Sequence, residues 1–232
     1  MKKNSLFKEN DKALVFGHTG GIGSEIFNTL SNILGHKNVI GVSRKNSIFD
    51  ITNEKTIDIL SKEINFKFRM IFNATGVLSY NENGPEKTIQ KIDYANMLKV
   101  FQINSIGPAL LIKNFYKHLS SESKSVFVNL SARVGSISDN RLGGWISYRS
   151  SKSALNQIIK TSSIEISRKL PFSILVAIHP GTVRTNFSSK FIKNKDASSP
   201  INASQQIIKT CENLTVSDTG KFFSYNGEHI EW

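Results

Sequence analysis

A chain of 232 residues with 39% hydrophobic content spread along its length has enough apolar material for one buried core, and neither half has the composition of a disordered tail. The formal net charge is +12 and the pI near 9.8, yet the lysines and arginines are scattered rather than gathered into a basic, aromatic-interleaved block, so nucleic acid is not an expected partner. Residues 1–12 are polar and charged around Leu6 and Phe7, and no apolar run reaches the roughly 18 residues of a membrane span, so a cytoplasmic protein away from membranes is expected. The lone Cys211 allows no internal disulfide, and the five histidines lack ligand spacing with cysteine or carboxylate, so no metal is expected.

In chain order, short apolar runs alternate with amphipathic stretches, the rhythm of parallel strands joined by helical crossovers. The first strand is expected at Ala13 to Phe16, followed by Gly17-His18-Thr19-Gly20-Gly21-Ile22-Gly23 and a helix over Ser24 to Leu34. Glycines here permit a tight turn and let the backbone N–H groups of a helix N-terminus approach a pyrophosphate; the spacing is Gly-x3-Gly-x-Gly at Gly17, Gly21 and Gly23. The second strand, Asn38 to Ser43, ends on Ser43-Arg44-Lys45. An NAD-selective protein carries a carboxylate at this place for the ribose hydroxyls. A cation with a neutral neighbour instead points to a 2′-phosphate, so Arg44 and Ser43 favour NADP(H) over NAD(H). The plainer alternative is an Arg-Lys pair that simply faces solvent.

Next come a helix over Asn53 to Ile64, a strand over Arg69 to Asn73, a long helix over Asp93 to Leu119 and a strand over Ser125 to Leu130. The helix over Ser147 to Lys169 carries Tyr148 and Lys152 four residues apart, on one face. A nearby cation favours a phenolate, and lowering a tyrosine from near 10 to about 7 takes on the order of 4 kcal/mol, within reach of Lys152 plus an oxidised nicotinamide ring. Taken alone, the same spacing also describes an ordinary solvated helix face. A strand over Phe172 to Ile178, a helix over Pro200 to Asn213 capped by Ser199, and a strand over Lys221 to Ser224 complete the series. Residues 186–199 are polar and lysine-rich and read as a mobile loop beside the strand ends. The expected fold is a single-domain α/β, doubly wound parallel sheet of about seven strands with helices on both faces, over residues 1–232.

The motifs in this order resemble the short-chain dehydrogenase/reductase family over essentially the whole chain. Asp50-Ile51-Thr52 is similar to that family's segment beside adenine, and Asn73-Ala74-Thr75-Gly76 to its Asn-Asn-Ala-Gly strand end, with Ala74 where a second asparagine is commoner. Asn104 in Gln102-Ile103-Asn104-Ser105-Ile106-Gly107 matches its helix asparagine, Tyr148 and Lys152 its catalytic pair, and Pro180-Gly181-Thr182-Val183-Arg184-Thr185 its segment near the nicotinamide. The run from Leu130 to Asn140, Gly143-Gly144-Trp145, and the closing Gly220-Lys221-Phe222-Phe223, Gly227 and Trp232 resemble the C-factor and sniffer-type carbonyl reductase branch, and imply that the chain ends where that branch ends.

The resemblance implies a Rossmann-like oxidoreductase that moves a hydride between NADP(H) and a small carbonyl or alcohol substrate, as a homodimer or homotetramer. Tyr148 is then the proton donor, Lys152 tunes it and holds the nicotinamide ribose, Asn104 positions a water-linked relay to Lys152, and Thr182 and Thr185 contact the carboxamide or pyrophosphate. Ala132 stands where the catalytic serine often lies, so Ser131 takes that role, with Ser136 as the alternative. Phe16 replaces a usual threonine, and Thr19 is expected to recover part of its hydrogen bonding. Trp145 and Phe187 flank the expected pocket. The same branch implies a second reading, a cofactor-binding cell-to-cell signalling or regulatory protein with little turnover.

Overall fold

Six of the apolar runs become strands whose residues are mostly buried, β1, β3, β4 and β5 between two neighbours and β2 and β6 at the sheet edges: β1 (Ala13–Phe16), β2 (Val39–Val42), β3 (Met70–Asn73), β4 (Ser125–Leu130), β5 (Ser173–His179) and β6 (Phe222–Ser224). They form one parallel sheet in the order β2-β1-β3-β4-β5-β6. The computed structural model describes residues 6–81, 84–188 and 197–232, so part of the loop expected over 186–199 lies outside the described residues. The sheet is close to the about seven strands expected. Beyond β6 the chain turns back through an antiparallel bridge between Phe223 and His229, with Ile230 N–H donating to the Phe222 carbonyl, instead of crossing over to another parallel strand.

Strand alternation divides the core into two layers. Leu14 and Phe16 of β1, Ile71 of β3, Phe127 of β4 and Leu175 of β5 pack with Ile57, Leu111, Phe115, Leu155 and Ile159 on one side; Ala13, Val15, Phe72, Val128 and Val176 pack with Ile26, Leu30, Ile207 and Cys211 on the other. The helices of the first layer are α2 (Glu54–Glu63), α3 (Tyr94–Phe101), α4 (Gly107–Phe115) and α5 (Ile146–Lys169); those of the second are α1 (Gly21–Leu34) and α6 (Pro200–Asn213). Several begin where side-chain acceptors satisfy the free first-turn N–H groups: Asn53 accepts from Lys55 N, Asp93 from Asn96 N and Ser199 from Asn202 N. No helix among the described residues is long and apolar enough to cross a membrane.

The single helix expected over Asp93 to Leu119 is instead broken into α3, a π turn over Gln102–Ile106, α4 and a 3-10 turn. Pro108 has no N–H for the Asn104 carbonyl four residues back, and the ladder widens so that Gly107 N–H donates to the Gln102 carbonyl five residues back. Gly107 also lies against Ile51, where a Cβ would come within 2.4 Å of the isoleucine side chain.

Phe16, the residue that departs from the usual threonine, is fully buried, with its ring 5.3 Å from Phe49 and edge-on to Phe115 at 4.9 Å. It trades a polar contact at the loop for packing under β1. Phe16→Ala should therefore lower the unfolding free energy by about 3–5 kcal/mol, read as a reduced urea midpoint at unchanged slope.

Candidate active site

In a sheet of this order the connection after β1 runs outward to β2 and the connection after β3 runs the opposite way to β4, so a crevice opens beyond the carboxyl ends of β1 and β3. A cavity of about 430 Å³ lies there, walled by the segments that follow β1, β3, β4 and β5. Gly20, Gly21, Ile22 and Gly23 line it at the start of α1, a helix whose N-cap, Gly20, offers no side-chain acceptor and whose first turn carries no acidic residue. Its free first-turn N–H groups and positive dipole end therefore suit a pyrophosphate. The turn is closed by Gly20 N–H donating to the Gly17 carbonyl at 3.0 Å; Gly17 has φ 76°, and a Cβ on Gly23 would come within 2.2 Å of that carbonyl oxygen. Thr19 is exposed and its hydroxyl has no hydrogen-bond partner among the described residues, so closure of the loop rests on backbone atoms. The donor set and the space above these glycines fit a dinucleotide.

Asn73 ends β3 beside Asn129 of β4, donating to its Oδ1 at 2.9 Å while accepting from Thr75 N and Thr75 Oγ1 at 3.1 and 2.6 Å. That clasp turns the chain so that Ala74, Thr75 and Gly76 line the cavity while Asn73 itself stays beneath it. Pro180, Gly181, Thr182, Val183 and Thr185 form the wall after β5, and Thr185 sits so close to Gly21 that a Cβ there would meet its Cγ2 at 2.6 Å. Ser43, Arg44, Asp50 and Ile51 do not line this cavity. Arg44 is exposed at the end of β2 with no hydrogen bond or ion pair among the described residues, while Ser43 Oγ donates to Asn46 Oδ1. Asp50 accepts from the backbone N–H and hydroxyl of Thr52, both at 2.8 Å, and the backbone bond above all holds its carboxyl below the ordinary value. Ile51 is a core residue.

At the other end, Ser131, Tyr148 and Lys152 line one wall and all are buried. Lys152 Nζ donates to the Leu130 carbonyl at 2.9 Å, which ties α5 to the end of β4. Ser131 Oγ donates to Asn156 Oδ1 at 2.6 Å, one turn of α5 beyond Lys152. Ser136, the alternative serine, lies outside the lining and donates to the Glu231 carbonyl at 2.5 Å. Burial pushes Lys152 down to about 8 and raises the Tyr148 phenol, the reverse of the lowering expected from a neighbouring cation. The physical reason is that the protein withdraws both groups from water while the ammonium is directed at a carbonyl.

The Asn104 side chain is held by direct partners on the cavity rim and on α5. Its Oδ1 accepts from Val77 N at 2.9 Å, and its Nδ2 donates to the Val77 carbonyl at 2.8 Å and to Ser151 Oγ at 3.1 Å. The amide thus braces the cavity rim against α5 and makes no bond to Lys152. Leu78, which falls in no motif, and Val134, inside the run from Leu130 to Asn140 but with no role expected of it, are apolar wall placed there by the fold. His179, one of the histidines without ligand spacing, also lines the cavity; burial first, then the nearby Arg133 cation, lowers it to about 4, and its buried Nδ1 has no partner among the described residues. Its place immediately before Pro180-Gly181 was the available signal.

Comparison with known proteins agrees with this geometry. A 1-hydroxy-2-glutathionyl-2-methyl-3-butene dehydrogenase from Rhodococcus sp. (strain AD45) is 29% identical over 186 residues, covering 79% of this chain and 78% of the relative. The C-signal protein of Myxococcus xanthus is 30% identical over 142 residues, covering 61% of this chain and 81% of the relative. Among solved structures, the NADPH-bound carbonyl reductase from chicken fatty liver superposes with a TM-score of 0.83 at 22% identity, over 97% of this chain and all of that one. The carbonyl reductase Sniffer of D. melanogaster does so at 0.77, also with 22% identity and the same coverage, and these two likenesses speak for the fold. Residues 47–196 match the family model of the short chain dehydrogenases, a span that begins after the glycine loop but takes in Asn104, Ser131, Tyr148, Lys152 and the turn at Pro180. With its strand order, its cavity wall and this match in agreement, the chain belongs to the short chain dehydrogenase family of oxidoreductases.

Proposed function

We propose that this oxidoreductase is an NADP(H)-dependent reductase of apolar aldehydes or ketones, working in reverse on the corresponding alcohols. One observation carries the reading: a buried hydroxyl, phenol and ammonium, Ser131, Tyr148 and Lys152, share a cavity with the uncapped start of α1. A bound nicotinamide supplies the hydride in the reductive direction. Tyr148, kept neutral by burial, holds a proton at its phenol oxygen and gives it to the carbonyl oxygen as negative charge develops there. Turning the Ser131 hydroxyl from Asn156 toward that oxygen adds a second donor. Lys152 keeps one N–H on the Leu130 carbonyl and has two left for the ribose hydroxyls and for stabilising a phenolate after transfer.

Selectivity is read from the remaining wall. Trp145 and Phe187 stand 6.4 and 6.2 Å, ring to ring, from Tyr148, and with Leu78 and Val134 they make an apolar seat beside the proton donor. The exposed Arg44 at the end of β2, without a hydrogen bond or ion pair among the described residues, supports a 2′-phosphate, and the chicken carbonyl reductase, NADPH-bound, is in keeping with it. A signalling protein that only binds a dinucleotide needs neither Tyr148 nor Lys152 withdrawn into the wall, so the buried pair favours turnover over that second reading.

Three measurements test this. Full-length protein should oxidise NADPH in the presence of members of an aldehyde, ketone and quinone panel, and Tyr148→Phe should lower kcat by about 10²–10⁴-fold with nearly unchanged NADPH affinity; undiminished turnover in the variant refutes the assignment. Arg44→Ala should weaken NADPH binding by roughly 10–100-fold, the worth of a charge-assisted contact, and leave NADH binding alone, as followed by fluorescence titration. Lys152 keeps its proton to about 10.5 in the unfolded chain but only to about 8 in the wall, so between these values the unfolded chain binds more protons and the unfolding free energy rises with pH. Urea titrations between about pH 8 and 9, below the range in which the buried Cys211 thiol and Tyr148 phenol pull stability the other way, should show this rise in the wild type and its loss in Lys152→Met.

A further inference from the structure

Among the described residues, Glu86 is the one buried carboxylate, 5% exposed, and no cation pairs with it. A carboxylate taken out of water needs donors, and those of Glu86 come from two helices. Its Oε1 accepts from Asn96 Nδ2 of α3 at 2.9 Å and from the Ser147 hydroxyl, and its Oε2 accepts from Ser147 N at 3.3 Å. Its own backbone carbonyl accepts from Trp145 N at 2.5 Å. Asn96 in turn accepts from Tyr80 N and Asn81 N, at 2.8 and 3.2 Å, so the same cluster holds the segment that follows the cavity-lining Leu78.

The helix that receives this carboxylate has an unusual start. Gly143, Gly144 and Trp145 have φ of 62°, 67° and 54°, three successive left-handed residues, and Trp145 at the N-cap provides no side-chain cap. An N-cap side chain normally accepts from the N–H two or three positions into the helix. Ser147 is the second helical residue of α5, and its N–H is the one that Glu86 accepts, with a negative charge set against the positive end of the helix. The next residue is Tyr148.

We infer that Glu86 is a positioning residue for the proton donor: it caps the Tyr148 helix from outside that helix and fixes Trp145 and Tyr148 together at the cavity wall. The inference rests on the reading of Tyr148 as proton donor. A phenol displaced by about 1 Å costs up to roughly a hundredfold in rate without touching the cofactor's binding groups. A cap that served only stability would leave turnover of the folded protein intact.

The test uses full-length protein with NADPH and benzaldehyde, together with hydrogen exchange of the segment 145–152. Glu86→Leu should lower kcat by roughly 10–100-fold with KM for NADPH within about twofold, and should speed exchange in 145–152 but not in β4. Glu86→Gln, whose amide oxygen can still accept from Ser147 N, should recover most of the rate. Wild-type kcat in folded Glu86→Leu, or unchanged exchange in 145–152, overturns the inference. Should Glu86→Leu not fold, Ser147→Ala, which removes the hydroxyl donor to Glu86, decides: a few-fold loss of kcat at constant KM for NADPH with faster exchange in 145–152 supports it, and wild-type kcat or unchanged exchange overturns it. Activity in the wild type and its loss in Tyr148→Phe separately support the underlying reading. If the wild type reduces no carbonyl compound, that reading falls, and exchange in 145–152 still decides whether Glu86 pins the helix start.

Discussion

An ammonium withdrawn from water must find an acceptor, and Lys152 finds the Leu130 carbonyl at the end of β4. That bond joins the long helix α5 to the sheet at the level where the strands stop. Tyr148, one turn earlier, is thereby held in the same wall, and Ser131, one residue past the accepting carbonyl, is clasped by Asn156 one turn later. The three groups come together because a helical period of about four residues on one side meets a strand end on the other. Burial then acts on their protonation, lowering the ammonium and raising the phenol.

The two ends of the sheet are built for different purposes. At the amino ends, Arg69 of the segment entering β3 is buried and holds Asp11 with two hydrogen bonds at 2.9 and 3.0 Å, plus the Lys124 carbonyl at 2.7 Å, so a cation, a carboxylate and a loop satisfy one another. At the carboxyl ends, the donors of the first turn of α1 are left without side-chain caps, and His179 Nδ1 is buried without a partner among the described residues. Polar groups satisfied at one end and available at the other mark the end where a ligand binds. The clasp of Asn73 with Asn129 and Thr75 bounds this region from below.

Much of the site was legible because its chemistry leaves residue types at fixed spacing. The glycines after β1 are there for steric reasons that act within a few residues, as the would-be contact of a Gly23 side chain with Gly17 demonstrates. Ser131 could be preferred over Ser136 from its position at a strand end; in the structure Ser131 lines the cavity, while Ser136 lies outside the lining and donates to the Glu231 carbonyl. Asn104 was visible as a motif and its side-chain partners were not: Val77 and Ser151 lie 27 and 47 residues away. The break in the helix at Gln102 could have been read from Pro108, since a missing N–H is a local fact, yet whether the chain answers with a kink or a wider turn depends on what packs beside it.

The sequence by itself determined the alternation of strands and helices, the turn before α1 and the pairing of Tyr148 with Lys152, because propensity, periodicity and the reach of one helical turn are properties of neighbouring residues. Only the tertiary structure decided which protonation state burial favours, that Leu78, Val134 and His179 belong to the wall, and that Glu86 caps a helix beginning 60 residues later. Desolvation, cavity shape and capping from a distant segment depend on what surrounds a group, and that is set by the packing of strands and helices far apart along the chain.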